Sequence, residues 1–368
     1  MVFEETNFDL PLLVFIDSNA FEEKNFSFSC DSMIKIMEYC NAVQIKIITP
    51  DIITTEIRRR IHRSANNARK TIKNNKDTRW NIRLLGHDEE VWSKLKQANY
   101  YKELESTVVA KYDSFLNETD AIILSVDHVK PSVVFEKYFD IKPPFEIGDK
   151  EKEFPDAFAL ESLLIYAENT GKKIHVVSSD KGFKSACEQN QAFSYYSNID
   201  IFIEHVLKVV DAVESGLIDE CHEWLHENYN EIIKQIADAQ SNVDISLNTQ
   251  WGRINSKNYI SFETENQAVV EIDDTHAVMT GSISLETRLD VEYETAGENS
   301  YYDANDNLVI PIVDIHKKVD VFLRFPFRLV LNLQNGNIIN LREITFDIAD
   351  KVVISPDDYA EFDIRSEP

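Results

Sequence analysis

Short runs of apolar residues set the strongest limit on how the first half of this 368-residue chain can fold. The runs LLVFI (12–16), IKIIT (45–49) and KIHVVSS (173–179) have the length and the β-branched content of buried strands. Between the first two lies SMIKIMEYCNA (32–42), which has helical periodicity. Because strands that are apolar on both faces need cover on both sides, this alternation predicts an α/β domain with a parallel sheet between helices.

From about residue 240 the pattern changes to an alternation of apolar and polar residues. The segment KVDVFLRFPFRLVLNL (318–333) is an example, and its period of two is typical of antiparallel strands with one covered face. The preceding stretch, GLIDECHEWLHENYNEIIKQIADAQ (216–240), is helical in pattern. We therefore predict an α/β domain (1–212), a helical connector (213–240) and a mainly antiparallel, β-rich acidic domain (241–368).

The formal net charge of −26 limits the partners that this chain can bind. Such a charge repels polyanions on average, so a nucleic acid would have to be met by a local basic surface or through metal ions. The four cysteines show no CxxC spacing, which is expected of a reduced, cytoplasmic protein. The first apolar run is too short to span a bilayer and follows acidic residues, so we expect neither a signal peptide nor membrane association.

Four acidic residues stand close to the predicted strand ends. Asp17 follows the first strand, Glu56 lies early in the helix after the second, Asp156 opens a later helix beside Pro155, and Asp180 follows a later strand. The carboxyl ends of adjacent parallel strands meet in one crevice, so these side chains should project into a common space. Close carboxylates cannot all be ionised without a cation among them, and an oxygen-only donor set suits Mg²⁺ or Mn²⁺ better than Zn²⁺. A single Asp after a strand more often caps a turn or helix, so the prediction depends on the set.

At these residues the sequence resembles the PIN-domain family of metal-dependent nucleases. The matching motifs are Asp17 in FIDSN, Glu56 in TTEI, Asp156 in PDAFAL, and Asp180 in SSDKGF with the aromatic Phe183 three residues on. The resemblance implies a PIN-like, Rossmann-like fold in which these four acids bind Mg²⁺ or Mn²⁺ and catalyse phosphodiester hydrolysis. It also implies single-stranded RNA as the commoner substrate, with DNA as the lesser alternative.

The segment KPPFEIGDKEKEFPDAFALESL (142–163) looks closest to a larger bacterial PIN-like subfamily with a C-terminal β domain, which would suggest a toxin-like or bacterial defence role. The gap between Glu56 and Asp156 is long relative to small family members, so we expect a helical insertion over about 60–140. Polar residues near the acids, Asn19, Ser179 and Glu153, could support the metal ligands through hydrogen bonds or water. Ser178 and Asp149 are nearby in sequence as well, and ordinary loop polarity is the alternative interpretation for all five.

The local basic surface that the net charge requires is present in RRRIHRSANNARKTIKNNKDTRWNIR (58–83). We expect its side chains to bind phosphates beside the acids, with the main contributions from Arg58, Arg59, Arg63, Arg69, Lys70 and Lys73. Trp80 could stack on a base or pack against a helix. The alternative is that the segment is a solvated helix face.

A second metal motif, HEWLH (222–226), matches the H-E-x-x-H pattern of zinc proteases. No third ligand follows at a familiar spacing, and the apolar residues of the segment have the spacing of a packed helix. We therefore interpret it as packing.

The β-rich domain offers little catalytic chemistry. From Asp244 to Pro368 there are 23 Asp or Glu against 10 Lys or Arg, so we expect it to bind a protein partner, to mediate self-association or to regulate the catalytic face rather than to bind nucleic acid. Two functions of different class remain open: a metal-dependent endoribonuclease, and a catalytically silent PIN-like module that binds RNA or protein. The complete acid set favours the nuclease, because close carboxylates without a metal would destabilise the fold.

Overall fold

A computed structural model gives the fold of the chain. The residues that it describes are 10–74, 93–95, 97–146, 153–211, 213, 215–240, 244–247, 252–295, 301–303, 308–310, 313–347 and 351–354. The chain divides into two compact units, residues 1–212 and residues 213–368. The helices between 213 and 240, predicted as a connector, fall in the second unit.

The first unit contains a five-stranded parallel sheet in the order β3-β2-β1-β4-β5. Its strands are β1 (Leu12–Ile16), β2 (Ile45–Pro50), β3 (Ile122–Leu124), β4 (Ile174–Val177) and β5 (Phe193–Tyr196). The central strand β1 is almost wholly buried, as its apolar sequence predicts. The prediction of a parallel sheet covered by helices is confirmed.

The strand order places a topological switch point between β1 and β4. The chain runs from β1 outward through β2 to β3, and then crosses back to β4 on the other side of β1. In open α/β sheets the connections diverge at such a point and leave a crevice at the carboxyl ends of the two strands. Asp17 follows β1 directly, and its backbone N–H donates to Val177 O at the end of β4 (2.9 Å).

Eight helices of the described part belong to the first unit. They are α1 (Ser18–Glu23), α2 (Asp31–Asn41), α3 (Asp51–Asn74), α4 (Ala98–Glu118), α5 (Pro131–Asp140), α6 (Phe154–Thr170), α7 (Lys181–Glu188) and α8 (Ile199–Val209). The long helices α3 and α4 pack against each other.

The expected helical insertion over 60–140 holds only in part. That range contains most of α3, all of α4 and α5, and also the third strand of the sheet. β3 has three residues and lies at the sheet edge, so its pattern is too short to indicate a strand. Helix α3 begins at Asp51, directly after β2, and the hydroxyls of Thr54 and Thr55 donate to Asp51 O inside its first turns.

The second unit is mainly antiparallel, as predicted. Four strands form a sheet in the order β12-β11-β8-β7, and two short pairs lie beside it. The strands are β6 (Asp244–Leu247), β7 (Gly252–Ile272), β8 (His276–Thr295), β9 (Tyr301–Asp303), β10 (Leu308–Ile310), β11 (Val313–Gln334), β12 (Asn337–Phe346) and β13 (Lys351–Ile354). The helices α9 (Ser215–Glu227) and α10 (Tyr229–Gln240) precede them.

Burial in the long strands follows the period of two. Along β11 every second residue from Phe325 to Leu333 is buried, and a two-residue turn with positive φ at Asn335 and Gly336 joins β11 to β12. Of the apolar run NLVIPIVDI (307–315), residues 308–310 form β10 and residues 313–315 belong to β11, and the remaining residues lie outside the described part. Within the described part of the chain, no helix has the length and apolar content needed to cross a bilayer.

Candidate metal and nucleic-acid site

Asp17 is the most buried of the four predicted acids, with 4 % of its surface exposed. It caps α1: its Oδ1 accepts from the backbone N–H of Ser18 (2.7 Å), and its Oδ2 accepts from the hydroxyl of Ser178 (2.8 Å). Burial raises the pKa of Asp17 to about 6, and nearby Glu56 adds to the shift, although the two serine hydrogen bonds oppose it. The cap therefore fixes a carboxylate that is costly to ionise beside other acids.

Glu56 lies in the second turn of α3 and is bound by two partners. The hydroxyl of Ser18 donates to its Oε1 (3.0 Å), and Arg60 Nε donates to the same oxygen (2.8 Å). Arg60 also contacts Glu22 of α1. A guanidinium thus neutralises Glu56 from one helical turn further along α3.

Asp156 lies in the first turn of α6, where Pro155 starts the helix as the sequence predicts. Burial raises the pKa of Asp156 to about 8, and the charges of Asp17, Glu56 and Asp180 contribute to this rise. The helix dipole favours the ionised form at this position, yet burial and three like charges outweigh it. Asp17, Glu56 and Asp180 therefore all lie within electrostatic range of Asp156.

Asp180 caps α7, and its Oδ1 accepts from the backbone N–H of Phe183 (3.0 Å). Phe183 is fully buried, and its ring stacks on Phe15 of β1 with 5.7 Å between centroids. The SSDKGF motif therefore anchors the loop after β4 to the central strand. Gly182 is needed for close approach, because a Cβ there would lie 2.9 Å from Asp180 Oδ1 and 3.0 Å from Pro144 O.

The hydroxyl of Ser178 joins the loops after β1 and β4. Besides donating to Asp17, its Oγ accepts from Asn19 Nδ2 (3.3 Å) and from the backbone N–H of Asp180 (3.1 Å). Asn19 Oδ1 also accepts from the backbone N–H of Ser179 (3.4 Å). Asn19 and the backbone of Ser179 are thus connected by hydrogen bonds to Ser178, which in turn contacts Asp17 and Asp180.

A partly open cavity of about 280 Å³ lies in front of Asp156 and Asp180. Its other lining residues are Glu146, Glu153, Ser179, Lys181 and Gly182. Glu153 faces this cavity, and its Oε2 accepts from the backbone N–H of Glu146 (2.9 Å). Lys181 is exposed, so the cavity carries one ammonium beside its acids. Asp149, which the sequence places near the acids, lies outside the described residues.

The donor set has the chemistry of a Mg²⁺ or Mn²⁺ site, since all four side chains offer hard carboxylate oxygens. In the part of the chain that the structure describes, however, no group of three Asp, Glu, His or Cys side chains stands ready to hold a metal ion. Asp17 is held by its serine hydrogen bonds, and Glu56 is held by its ion pair with Arg60. A cation that binds Glu56 would have to compete with Arg60.

The basic segment is divided between two faces of α3. Arg63 and Lys70 follow Glu56 by close to two and four whole turns, so they share its face, and Arg59 is adjacent. Arg58 and Arg69 lie on the other side, toward α4. The sequence predicted one basic surface because the charges are contiguous along the chain, whereas helical geometry separates them.

Contacts confirm this division. Arg58 pairs with Asp113 of α4 (2.8 Å) and lies over the Tyr112 ring, and Arg69 lines a cleft of about 310 Å³ with Tyr101. Arg63 on the first face reaches Glu22 (3.5 Å), while Arg59 and Lys70 are exposed and make no ion pair with other described residues. The side chain of Lys73 and all of Trp80 lie outside the described residues.

The sequence did not single out Ser18, Arg60 or Lys181 as site residues. The Glu56–Arg60 spacing of four residues was the available signal for one of them, since such pairs meet on a helix. The other two follow Asp17 and Asp180 in the chain, but adjacency to an acid is too common to indicate a role.

The HEWLH segment is packed as predicted. It lies in α9, where Cys221 and Leu225 are buried while His226 and Glu223 are exposed. The described residues offer no group of metal-ligating side chains around it.

The parallel sheet and its switch point define an open, Rossmann-like α/β domain. The family model described as PIN domain matches residues 14–183, and the first unit therefore carries a PIN domain. PIN domains are usually nucleases, usually bind divalent metals and act on nucleic acid. No curated protein matches the chain significantly. No solved structure does so either.

Proposed function

We propose that the first unit is a divalent-metal-dependent endonuclease that hydrolyses phosphodiester bonds in single-stranded RNA. The observation that carries the proposal is that Asp17, Glu56 and Asp180, each from a different element, lie within electrostatic range of Asp156 near the switch point of the sheet. Carboxylates at such range raise one another's pKa, and a bound cation would relieve this repulsion.

The proposed roles of the side chains follow from their contacts. The four carboxylates would hold Mg²⁺ or Mn²⁺, which supplies Lewis acidity: it lowers the pKa of an attacking water and offsets charge on the scissile phosphate. Ser18 and Ser178 keep the Asp17 oxygens oriented. Burial, with the charges of its neighbours, raises the pKa of Asp156 to about 8, so its carboxyl is mainly protonated near pH 7 and would give up its proton when the cation binds. Lys181 lines the same cavity and would attract the phosphate of the substrate.

RNA would approach along the Glu56 face of α3. Arg59, Arg63 and Lys70 follow this face away from the acids over roughly 20 Å, at about 1.5 Å per residue. Flexible guanidinium and ammonium groups in such a row bind phosphates without reading sequence. DNA remains the second substrate, because no residue of the site is assigned to the 2′-hydroxyl that distinguishes ribose.

The second unit would regulate the first or dock a protein partner. Residues 213–368 contain 30 Asp or Glu against 11 Lys or Arg, which is most of the net charge of −26. Such a surface repels phosphates and suits contact with a basic protein surface or a second copy.

The alternative function is a catalytically silent PIN-like module that binds RNA or protein. One observation favours it: Arg60 already neutralises Glu56 without a metal. In a silent module this ion pair would be permanent, whereas in a nuclease it would open when a cation binds.

The test uses labelled RNA and single-stranded DNA with Mn²⁺, Mg²⁺ or EDTA. We expect cleavage of RNA that requires the metal and that Asp17→Asn and Asp156→Asn each abolish. Asp127→Asn, which removes an exposed acid of the same unit, is the matched control and should cleave normally. Retained cleavage in both site variants would exclude the assigned acids, and a parent that binds RNA without cutting it would establish the silent module.

A further inference from the structure

A cluster of aromatic rings extends from the core of the first unit to its surface on helix α5. Phe145 and Phe154 pack against each other with 5.1 Å between centroids, and Tyr138 packs against both. Phe135 contacts Phe154 (5.3 Å) and stacks on Phe139 at 6.2 Å with 30° between the ring planes. The rings form a continuous series that starts in the core and ends at Phe139.

The outer end of this series is unusually exposed. Phe139 has 73 % of its surface exposed and Phe135 has 44 %, whereas Phe145 has 2 %. Val133 and Ile141, at either end of the same helix, are also more than one third exposed. Apolar patches of this kind on a soluble domain mark binding surfaces more often than they occur without a role.

The aromatic series shares a wall with the acid cavity. Glu146 and Glu153 line the cavity, and their chain neighbours Phe145 and Phe154 belong to the series. Asp156 lies in the same first turn of α6 as Phe154. Through Phe154 and Phe145 the rings of α5 are therefore connected to the two segments that carry Glu153 and Glu146 at the cavity wall.

We propose that Phe135 and Phe139 form a stacking surface for unpaired bases of the strand that is cut at the acid cavity. This inference rests on the proposed function and adds to it a second contact surface, separate from the basic face of α3. Phe139 stacks on Phe135 and is mostly exposed, so a base that stacks on the Phe139 ring would extend the series of rings by one. Stacking tolerates any base but requires it to be unpaired, so this surface selects single strands over duplexes.

Nucleic acid is favoured over a protein as the occupant for two reasons. The surface adjoins the cavity in which a phosphodiester is proposed to bind, and its exposed tip is a ring stack rather than an aliphatic groove. An amphipathic helix or a second copy of the chain would be held by aliphatic and aromatic side chains alike. Replacing Phe139 by Leu removes the ring but keeps an apolar side chain. This change should therefore weaken the binding of bases more than the binding of a protein.

The experiment measures binding of the full-length chain to a 5′-labelled oligouridylate in EDTA, so that no cleavage occurs. We expect Phe139→Ala and Phe139→Leu to weaken binding by roughly 5- to 100-fold, the range for loss of one stacked base, and Phe139→Trp to preserve it. Phe322→Ala is the matched control, because Phe322 is 54 % exposed in the second unit and should not contribute. An oligonucleotide with abasic positions should bind the parent and Phe139→Ala equally.

Equal binding of oligouridylate by the parent and Phe139→Ala would overturn the stacking surface. The same conclusion would follow if Phe139→Ala lost as much affinity for the abasic strand as for oligouridylate, or if the parent bound neither strand. Self-association of the parent that Phe139→Ala abolishes, with RNA affinity unchanged, would assign the surface to a second copy instead. These results are distinct from failure of the proposed function. If the parent binds RNA through Phe139 but does not cleave it, the stacking surface is supported and the nuclease function is rejected. If the parent cleaves RNA and Phe139→Ala binds it equally well, the nuclease function is supported and the stacking surface is rejected.

Discussion

Arg60 Nε lies 2.8 Å from Glu56 Oε1, so a guanidinium is in contact with one of the four carboxylates of the candidate metal site. Both side chains are about three quarters shielded from solvent, and Arg60 also contacts Glu22. A divalent cation that binds Glu56 must compete with this ion pair. At the proposed metal site, Arg60 would therefore lower the affinity for a cation.

Replacing Arg60 by Met should strengthen Mn²⁺ binding by about two- to tenfold, the value of one charge-assisted contact of about 0.5–1.5 kcal/mol. Isothermal titration calorimetry measures the affinity of the parent and of the variant for Mn²⁺. Arg63→Met is the control, because this substitution removes the same charge, and Arg63 contacts Glu22 but not Glu56. Equal gains in the two variants would show that net charge, and not competition at Glu56, controls metal affinity.

Asp156 should make the metal-free protein less stable as the pH rises. Its pKa is about 8 in the folded state against an ordinary value of 3.8, so folding favours the protonated carboxyl. This contribution is complete below about pH 4 and is lost as the pH rises through about 8, at about 1.4 kcal/mol per pKa unit. Melting temperatures of Asp156→Asn in EDTA should therefore exceed those of the parent by an amount that grows from about pH 4 to about pH 8.

The control for this titration is Asp127→Asn, since Asp127 is exposed. Its melting curves should follow those of the parent at every pH. A constant difference between Asp156→Asn and the parent across the range would mean that Asp156 is ionised throughout and that the four charges are further apart than inferred.

Metal binding should release protons near pH 7. Asp156, with a pKa of about 8, and to a smaller extent Asp17, with a pKa of about 6, must ionise to become ligands. Calorimetry in buffers of different ionisation enthalpy should give about one proton released per cation, and Mn²⁺ affinity should rise with pH up to about 8. Binding without proton release would mean that the cation does not contact Asp156.

RNA affinity should depend on the Glu56 face of α3. Lys70→Ala should weaken binding and reduce the dependence of affinity on salt, because one phosphate contact and its released counterion are lost. Arg69→Ala removes the same charge from the neighbouring position but on the face toward α4, so it should have a smaller effect. A larger loss in Arg69→Ala, measured by anisotropy over a salt titration, would direct the strand into the α3–α4 cleft.

Gly182→Ala should disturb the loop that carries Asp180. The added methyl group would lie 2.9 Å from Asp180 Oδ1 and 3.0 Å from Pro144 O, so we expect a loss of about 1–3 kcal/mol in the free energy of unfolding. Gly216→Ala is the control, because a methyl group at that position would have no neighbouring atom within 4 Å and Ala favours a helix. Chemical denaturation of both variants measures the difference, and an undisturbed Gly182→Ala would show that the loop adapts.

Much of the fold was determined by local sequence. LLVFI forms β1 over the predicted residues, and the alternation in 318–333 falls within a single strand, β11. These segments are long or strongly apolar, so periodicity and burial point to the same structure. The third strand was missed because three residues carry no period.

The sequence by itself determined that Asp17 and Asp180 follow strands and that Glu56 and Asp156 lie near the start of helices, since those positions depend on local pattern. Only the tertiary structure decided that β1 lies beside β4 and that the hydroxyl of Ser178 links Asp17 to the Asp180 loop. It likewise decided that Arg60 forms an ion pair with Glu56. It also decided that burial and three like charges raise the pKa of Asp156 in spite of the helix dipole. The physical reason is that strand order and electrostatic coupling depend on distances through space, which separation along the chain does not determine.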